Sequence, residues 1–196
     1  MSALEFWFEF ASSYSYPSAL RVEEAAHARG VDLVWRPFLL GPIFAQQGWR
    51  DSPFNLHPAK GSYMWRDLER VCGSLGLAWQ RPSVFPRNGL RAARVACSHE
   101  EAPWLPAFVR AVYRANFAED RDPADPEVLS EILAGLGQAA APILAGAGSA
   151  ASKAKLRRRT EEAVAHGIFG APSFRVHGEL FWGNDRLEAA LEHASP

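Results

Sequence analysis

Strand signals are confined to the two ends of this chain, and the long stretch between them reads as helix. At the N-terminal end, Leu4-Glu5-Phe6-Trp7-Phe8-Glu9-Phe10 is dense in aromatic residues of high β propensity, broken only by Glu5 and Glu9; it predicts a mostly buried strand. In Ala11-Ser12-Ser13-Tyr14-Ser15-Tyr16-Pro17, small hydroxyl residues can end that strand and cap a helix. Pro17 fits the helical first turn, where a missing N–H costs nothing. Leu20, Val22, Ala25 and Ala26 carry the helix to Gly30, a residue suited to the position after a helix end, and residues 31–37 predict a second strand. Strand, helix and strand in such close succession open an α/β sheet.

At the other end, Ser173-Phe174-Arg175-Val176-His177 alternates, Gly178-Glu179 reads as a turn, and Leu180-Phe181-Trp182 completes a hairpin. Gly183-Asn184-Asp185 then leads into a last helix over 186–193, with Asp185 and Glu188 as an acidic capping box. From 41 to 166 no strand candidate occurs. Residues 62–75 place Met64, Trp65, Leu68, Val71, Cys72 and Leu75 on one helical face. Residues 88–99 are Ala-rich and helical, and Trp104, Leu105, Phe108, Val109, Val112 and Tyr113 form the clearest helical stripe. Asp125-Pro126-Glu127 starts a helix that ends at Gly137, and 153–166 forms another; 139–148, rich in Ala and Gly, is ambiguous.

The order βαβ, helical block, ββα is that of a thioredoxin-like α/β fold with a large all-helical insertion. Residues 1–40 and 167–196 then make the thioredoxin-like domain and 41–166 the inserted helical domain. A length of 196 residues suits one domain carrying such an insertion. Apolar residues at 48% and charged residues at 22% exclude general disorder, and a net charge of −1 argues against electrostatic nucleic-acid binding. Two cysteines exclude a disulfide scaffold, and the six histidines have no ligand spacing, so no metal is expected. The start, Met1-Ser2-Ala3-Leu4-Glu5-Phe6, has no signal-peptide character, and no apolar run is long enough for a membrane span. The expectation is a cytoplasmic protein in which Cys72 and Cys97 stay reduced and buried. The basic run Lys153-Ala154-Lys155-Leu156-Arg157-Arg158-Arg159, followed by Glu161 and Glu162, reads as a solvated helix face.

Three places can carry chemistry. A thioredoxin-like fold keeps its reactive group where the first strand meets the first helix, because the helix N-terminus favours a thiolate there. The positions of a redox Cys-x-x-Cys read Ser12-Ser13-Tyr14-Ser15, which excludes disulfide exchange; Ser12 can donate to a thiolate brought by a ligand, or Ser12 or Ser13 can simply cap the helix. In Phe169-Gly170-Ala171-Pro172-Ser173-Phe174, a cis Pro172 would turn the Ala171 backbone toward an extended peptide ligand, whereas a trans one would be an ordinary loop. At Trp182-Gly183-Asn184-Asp185-Arg186, helix amides suit a carboxylate and Asp185 suits an ammonium, unless Asp185 only caps its own helix. Together they describe a site for a thiol peptide with a zwitterionic end, such as glutathione. Tyr14 and Trp182 can flank it.

Phe8-Glu9-Phe10-Ala11-Ser12-Ser13-Tyr14-Ser15-Tyr16 resembles the opening motif of the 2-hydroxychromene-2-carboxylate isomerases, which are similar to kappa-class glutathione transferases in the DsbA-like branch of the thioredoxin superfamily. Phe169-Gly170-Ala171-Pro172-Ser173-Phe174 and Phe181-Trp182-Gly183-Asn184-Asp185-Arg186-Leu187 resemble the closing motif. Pro58-Ala59-Lys60-Gly61-Ser62-Tyr63-Met64 and Phe85-Pro86-Arg87-Asn88 resemble motifs of the helical insert. The resemblance implies glutathione as cofactor and Ser12 as the catalytic serine holding its sulfur as thiolate. It implies Ala171 and Pro172 beside the cysteinyl backbone, Asn184 and Asp185 at the γ-glutamyl end, and Asn88 toward the substrate. The implied reaction converts 2-hydroxychromene-2-carboxylate reversibly into trans-o-hydroxybenzylidenepyruvate, and a small aromatic carboxylate substrate and a homodimer come with it. Where the family carries a basic residue early in the insert, this chain has Gly41-Pro42-Ile43-Phe44-Ala45, leaving Arg50, Lys60 or Arg66 to meet a substrate carboxylate. A glutathione transferase and a non-catalytic peptide-binding module are the alternatives.

Overall fold

A computed structural model describes residues 3–195. β1 (Ala3–Phe8), α1 (Ser15–His27) and β2 (Asp32–Pro37) open the chain. The helices α2 (Leu40–Gln46), α3 (Pro53–Leu56), α4 (Pro58–Ser74), α5 (Leu90–Ser98), α6 (Leu105–Phe117), α7 (Pro126–Gly135), α8 (Ala140–Ala147) and α9 (Ala150–Ala165) follow without an intervening strand. β3 (Ser173–Val176), β4 (Glu179–Trp182) and α10 (Leu187–Ala194) close it. The four strands form one sheet in the order β2-β1-β3-β4, with β1 parallel to β2 and antiparallel to β3. The first and last segments of the chain thus meet at the sheet centre.

Alternation along β1 sends its side chains to both faces. Leu4, Phe6 and Phe8 enter a large core shared with α1, α5, α6 and α10, while Trp7 enters a smaller one with Phe38, Ile43, Ala163 and Ile168. Phe6 lies opposite Phe174 in the β1–β3 register, and the two rings stack with centroids 5.5 Å apart. The larger core runs without a break from the sheet into the helices of the insert.

Several sequence expectations shift by a few residues, each for a local reason. The first strand ends at Phe8 rather than Phe10, because the Glu9 carbonyl accepts the Ser12 N–H at 2.9 Å and the chain turns there. The ambiguous 139–148 stretch is α8, and the last long helix begins at Ala150, where Ser149 Oγ accepts the Ser152 amide at 3.1 Å. The hairpin turn is His177-Gly178, both at positive φ, with Val176 opposite Glu179; the expected Gly178-Glu179 turn is one residue out. The Asp185–Glu188 capping box is absent. Gly183 at φ 118° starts a 3₁₀ turn over Asn184–Arg186, α10 begins after it without a side-chain cap, and Glu188 instead pairs with Arg21 and Arg29. Leu75 is 40% exposed rather than on the buried face of its helix. Nor is the basic run wholly solvated: Arg159 is only partly exposed and donates to both oxygens of Glu100 at 2.9 Å, its guanidinium 5.7 Å from the centroid of the Trp7 ring.

Candidate thiol-binding site

The turn after β1 presents two serines, and the fold gives them opposite directions. Ser13 Oγ points inward and donates to the Met64 sulfur of α4 at 2.9 Å in a buried contact. Ser12 Oγ points across the sheet and donates to the Ala171 carbonyl at 2.8 Å, 159 residues away in sequence. The same Ser12 oxygen accepts the Ser15 amide at 3.3 Å, so this hydroxyl both supports the α1 N-terminus and faces the second motif. Neither serine is the N-cap of α1; that position is Tyr14, which makes no side-chain cap. Ser15, at the position of the second cysteine of a Cys-x-x-Cys pair, is fully buried, and its hydroxyl faces the Tyr113 phenol of α6.

The Ala171–Pro172 peptide is cis. The Pro172 carbonyl accepts the Gly183 amide at 3.0 Å, which ties this loop directly to the turn carrying Asn184 and Asp185. Gly170 and Gly183 are glycines for want of room: a Cβ on Gly170 would lie 2.4 Å from the indole nitrogen of Trp182, and one on Gly183 would lie 2.5 Å from an Asp185 carboxylate oxygen. Trp182 is 53% exposed and packs edge-on against exposed Phe169 at 4.8 Å, an aromatic wall beside Pro172.

Asn184 is buried, and its side-chain oxygen accepts from Ser18 Oγ of α1 at 2.9 Å and from Arg21 at 3.3 Å. It locks the closing motif to the opening helix. Asp185 is exposed, paired at 2.8 Å only with the neighbouring Arg186 guanidinium among the contacts of the described residues, and close enough to Tyr14 to raise the phenol's pKa. Tyr14 donates to Asp67 of α4 at 2.8 Å; burial and then that carboxylate push the Tyr14 phenol well above its ordinary range. Ser12 is thus joined to Ala171, and Pro172 to the Gly183 amide just before Asn184 and Asp185, while Asp185 itself pairs only with Arg186 among the described residues.

The two insert residues are less tightly joined to that cluster. Asn88 is exposed, and its side-chain oxygen accepts the Leu90 amide at 2.9 Å at the start of α5. Its neighbour Gly89 sits so close to the Ser12 turn that a Cβ there would be 2.6 Å from Phe10 Cβ. Lys60 is exposed on the first turn of α4, one turn before Met64, so it shares a face with the residue that meets Ser13. Sequence reasoning missed Glu9, Asp67, Tyr113 and Asn116. Glu9 alone left a signal, an acid inside an apolar strand run. Cys72 and Cys97 are buried, and desolvation raises their thiols to about 11 and about 12.

The groups present suit a thiol peptide: a hydroxyl beside a helix N-terminus, a peptide edge at Ala171, and an exposed carboxylate at Asp185, paired with Arg186. Among the described residues, no helix is long and apolar enough to cross a membrane. A family model described as a DSBA-like thioredoxin domain matches residues 3–194. A 2-hydroxychromene-2-carboxylate isomerase of Sphingobium xenophagum is 28% identical over 187 residues, 94% of either chain. Glutathione S-transferase kappa 1 of Rattus norvegicus is 24% identical over 199 residues, 94% of this chain and 87% of its own. The solved fold of a 2-hydroxychromene-2-carboxylate isomerase superposes with a TM-score of 0.85 at 24% identity, over 97% of this chain and 94% of that one. With the match running nearly end to end, the chain belongs to the DsbA-like thioredoxin family, and 2-hydroxychromene-2-carboxylate isomerases are among its relatives.

Proposed function

We propose that this protein is a glutathione-dependent isomerase of small aromatic carboxylates, interconverting 2-hydroxychromene-2-carboxylate and trans-o-hydroxybenzylidenepyruvate or a related intermediate. The observation that carries the reading is the Ser12 hydroxyl, at the start of α1 and 2.8 Å from the carbonyl of the residue before Pro172. When bound, glutathione supplies a thiolate that adds reversibly to a conjugated carbon, so that a double bond becomes freely rotating and elimination returns the thiol unchanged.

The chain's own groups do the rest. Ser12 turns its proton from the Ala171 carbonyl to the sulfur, and with the α1 amides it favours the anionic form. The Ala171 backbone pairs with the cysteinyl backbone. Asp185 takes the γ-glutamyl ammonium, and Asn184 holds that turn against α1. Lys60 meets the substrate carboxylate and Asn88 donates on the substrate side, orienting the reacting carbon. Trp182 and Tyr14 flank the ligand.

Calorimetric titration with reduced glutathione tests the reading: saturable binding at or below millimolar concentration is expected, and its absence overturns the reading. The relation to a kappa-class transferase supports a second reading, in which the thiol ends as a conjugate. Glutathione recovered unchanged after turnover identifies the isomerase; consumed glutathione identifies the transferase.

A further inference from the structure

The Ser12 turn is held from below by a set of contacts that the proposed chemistry does not use. The Ala11 amide donates to the Glu9 carboxylate at 3.0 Å, and the Ser12 amide donates to the Glu9 carbonyl at 2.9 Å while also facing that carboxylate. From α6, the Tyr113 phenol donates to the same Glu9 carbonyl at 2.8 Å, and the Asn116 amide reaches the Phe10 carbonyl at 3.5 Å. Arg87 fixes Asn116 by donating to its side-chain oxygen at 3.2 Å. The Glu9 and Phe10 carbonyls and the Ala11 and Ser12 amides are thus all engaged, and Glu9 is the one member of the set that can change charge near neutrality.

We infer that Glu9 is a positioning residue for Ser12: its carboxylate draws the Ala11 and Ser12 amides into one turn, and its ionisation controls how Ser12 presents its hydroxyl to Ala171. The inference rests on reading Ser12 as the residue that faces the thiol. Burial pushes the Glu9 carboxyl up to about 7, against the pull of the two amides. The titratable group facing it is the Tyr113 phenol of α6, itself held well above its ordinary range by burial and by Glu9. The charged Arg87 guanidinium stands behind Asn116; α1 contributes the Ser15 hydroxyl, and the start of α5 contributes Gly89, neither of which titrates there. An acid in this place works against burial, so stability alone gives no reason for it.

The test is a pH titration of the full-length, isotope-labelled protein by NMR, without ligand. The Ala11 amide nitrogen and the Ala171 carbonyl carbon are expected to titrate together, with a midpoint near about 7. Glu9→Gln should flatten both, Glu9→Asp should keep both with a displaced midpoint, and Ser12→Ala should flatten Ala171 while leaving Ala11. A flat Ala171 carbonyl beside a titrating Ala11 amide would overturn the inference, since Glu9 would then govern only its own turn. Survival of the Ala171 titration in Glu9→Gln would overturn it too. In the wild type, affinity for reduced glutathione should change slope near the same pH, and Glu9→Gln should remove that break; superimposable profiles would count against the inference. Failure of the wild type to bind reduced glutathione at all overturns the functional reading instead, and the two titrations of the free protein still decide this one.

Discussion

Ser12 and Ser13 are adjacent, chemically identical and equally plausible as caps, yet one hydroxyl meets a methionine sulfur and the other a carbonyl across the sheet. That difference makes Ser12→Ala the sharpest single change. Losing a hydrogen bond to a charged sulfur costs about 1.5–3 kcal/mol, so turnover should fall by about one to two decades, and thiolate absorbance of bound glutathione should titrate at higher pH. Ser13→Ala should leave that titration where it is. For Asp185, the missing helix cap simplifies the outcome: the free protein should melt at the same temperature in Asp185→Asn, while calorimetry should give a glutathione dissociation constant raised by roughly tenfold. A lower melting temperature with normal binding would make Asp185 structural. Cys72 and Cys97, raised to about 11 and about 12 by burial, should resist alkylation at neutral pH in the folded protein and react once it is unfolded in denaturant, as followed by mass spectrometry.

Individual elements place the site by close approach as much as by hydrogen bonding. α5 comes up to the Ser12 turn only because Gly89 has no side chain, and Gly89→Ala would drive a Cβ to 2.6 Å from Phe10 Cβ. The expected result is a destabilisation of about 1–3 kcal/mol in denaturant titration, together with weaker glutathione binding, because the turn that carries Ser12 must shift. A purely local helix effect would leave binding intact. The cap of α7 offers a contrast remote from the site. Asp125 accepts the Glu127 amide at 2.8 Å, and Asp125→Ala should cost about 1 kcal/mol without affecting the ligand. The Asp125 cap was plain in the sequence because cap and proline are neighbours. The Asp185 capping box was misread because Gly183 at positive φ lets a 3₁₀ turn replace the first helical turn, and nothing in the residue pattern separates the two.

At the scale of the whole molecule, Glu9 links the site to global stability. An ordinary glutamate ionises near 4.5, whereas in the folded chain Glu9 does so near about 7. Below 4.5 the group is protonated whether the chain is folded or not, and it contributes nothing. As pH rises from there to about 7, the unfolded chain loses its proton first, so the folded state loses relative stability; above that the full penalty of a few kcal/mol remains. Glu9→Gln should therefore melt higher than the wild type at about pH 8 and at the same temperature at about pH 4, as thermal melts can check.

The sequence by itself determined the order of the elements, the sides from which the core is built and the three motifs that face one another. Those are properties of short stretches: period-two and period-3.6 apolar patterns, prolines and glycines at turns, hydroxyls before a helix. It also carried the resemblance that joins Ser12, Pro172 and Asp185 into one expectation. Only the tertiary structure decided which serine faces Ala171, that Asn184 locks to Ser18 and Arg21, that Asp185 caps nothing, and that Tyr113 and Asn116 hold the turn from beneath. Each of these depends on groups far apart in the chain and on the direction a side chain takes once the core is packed. A hydroxyl or a carboxylate carries no mark of its partner until folding has brought that partner within about 3 Å.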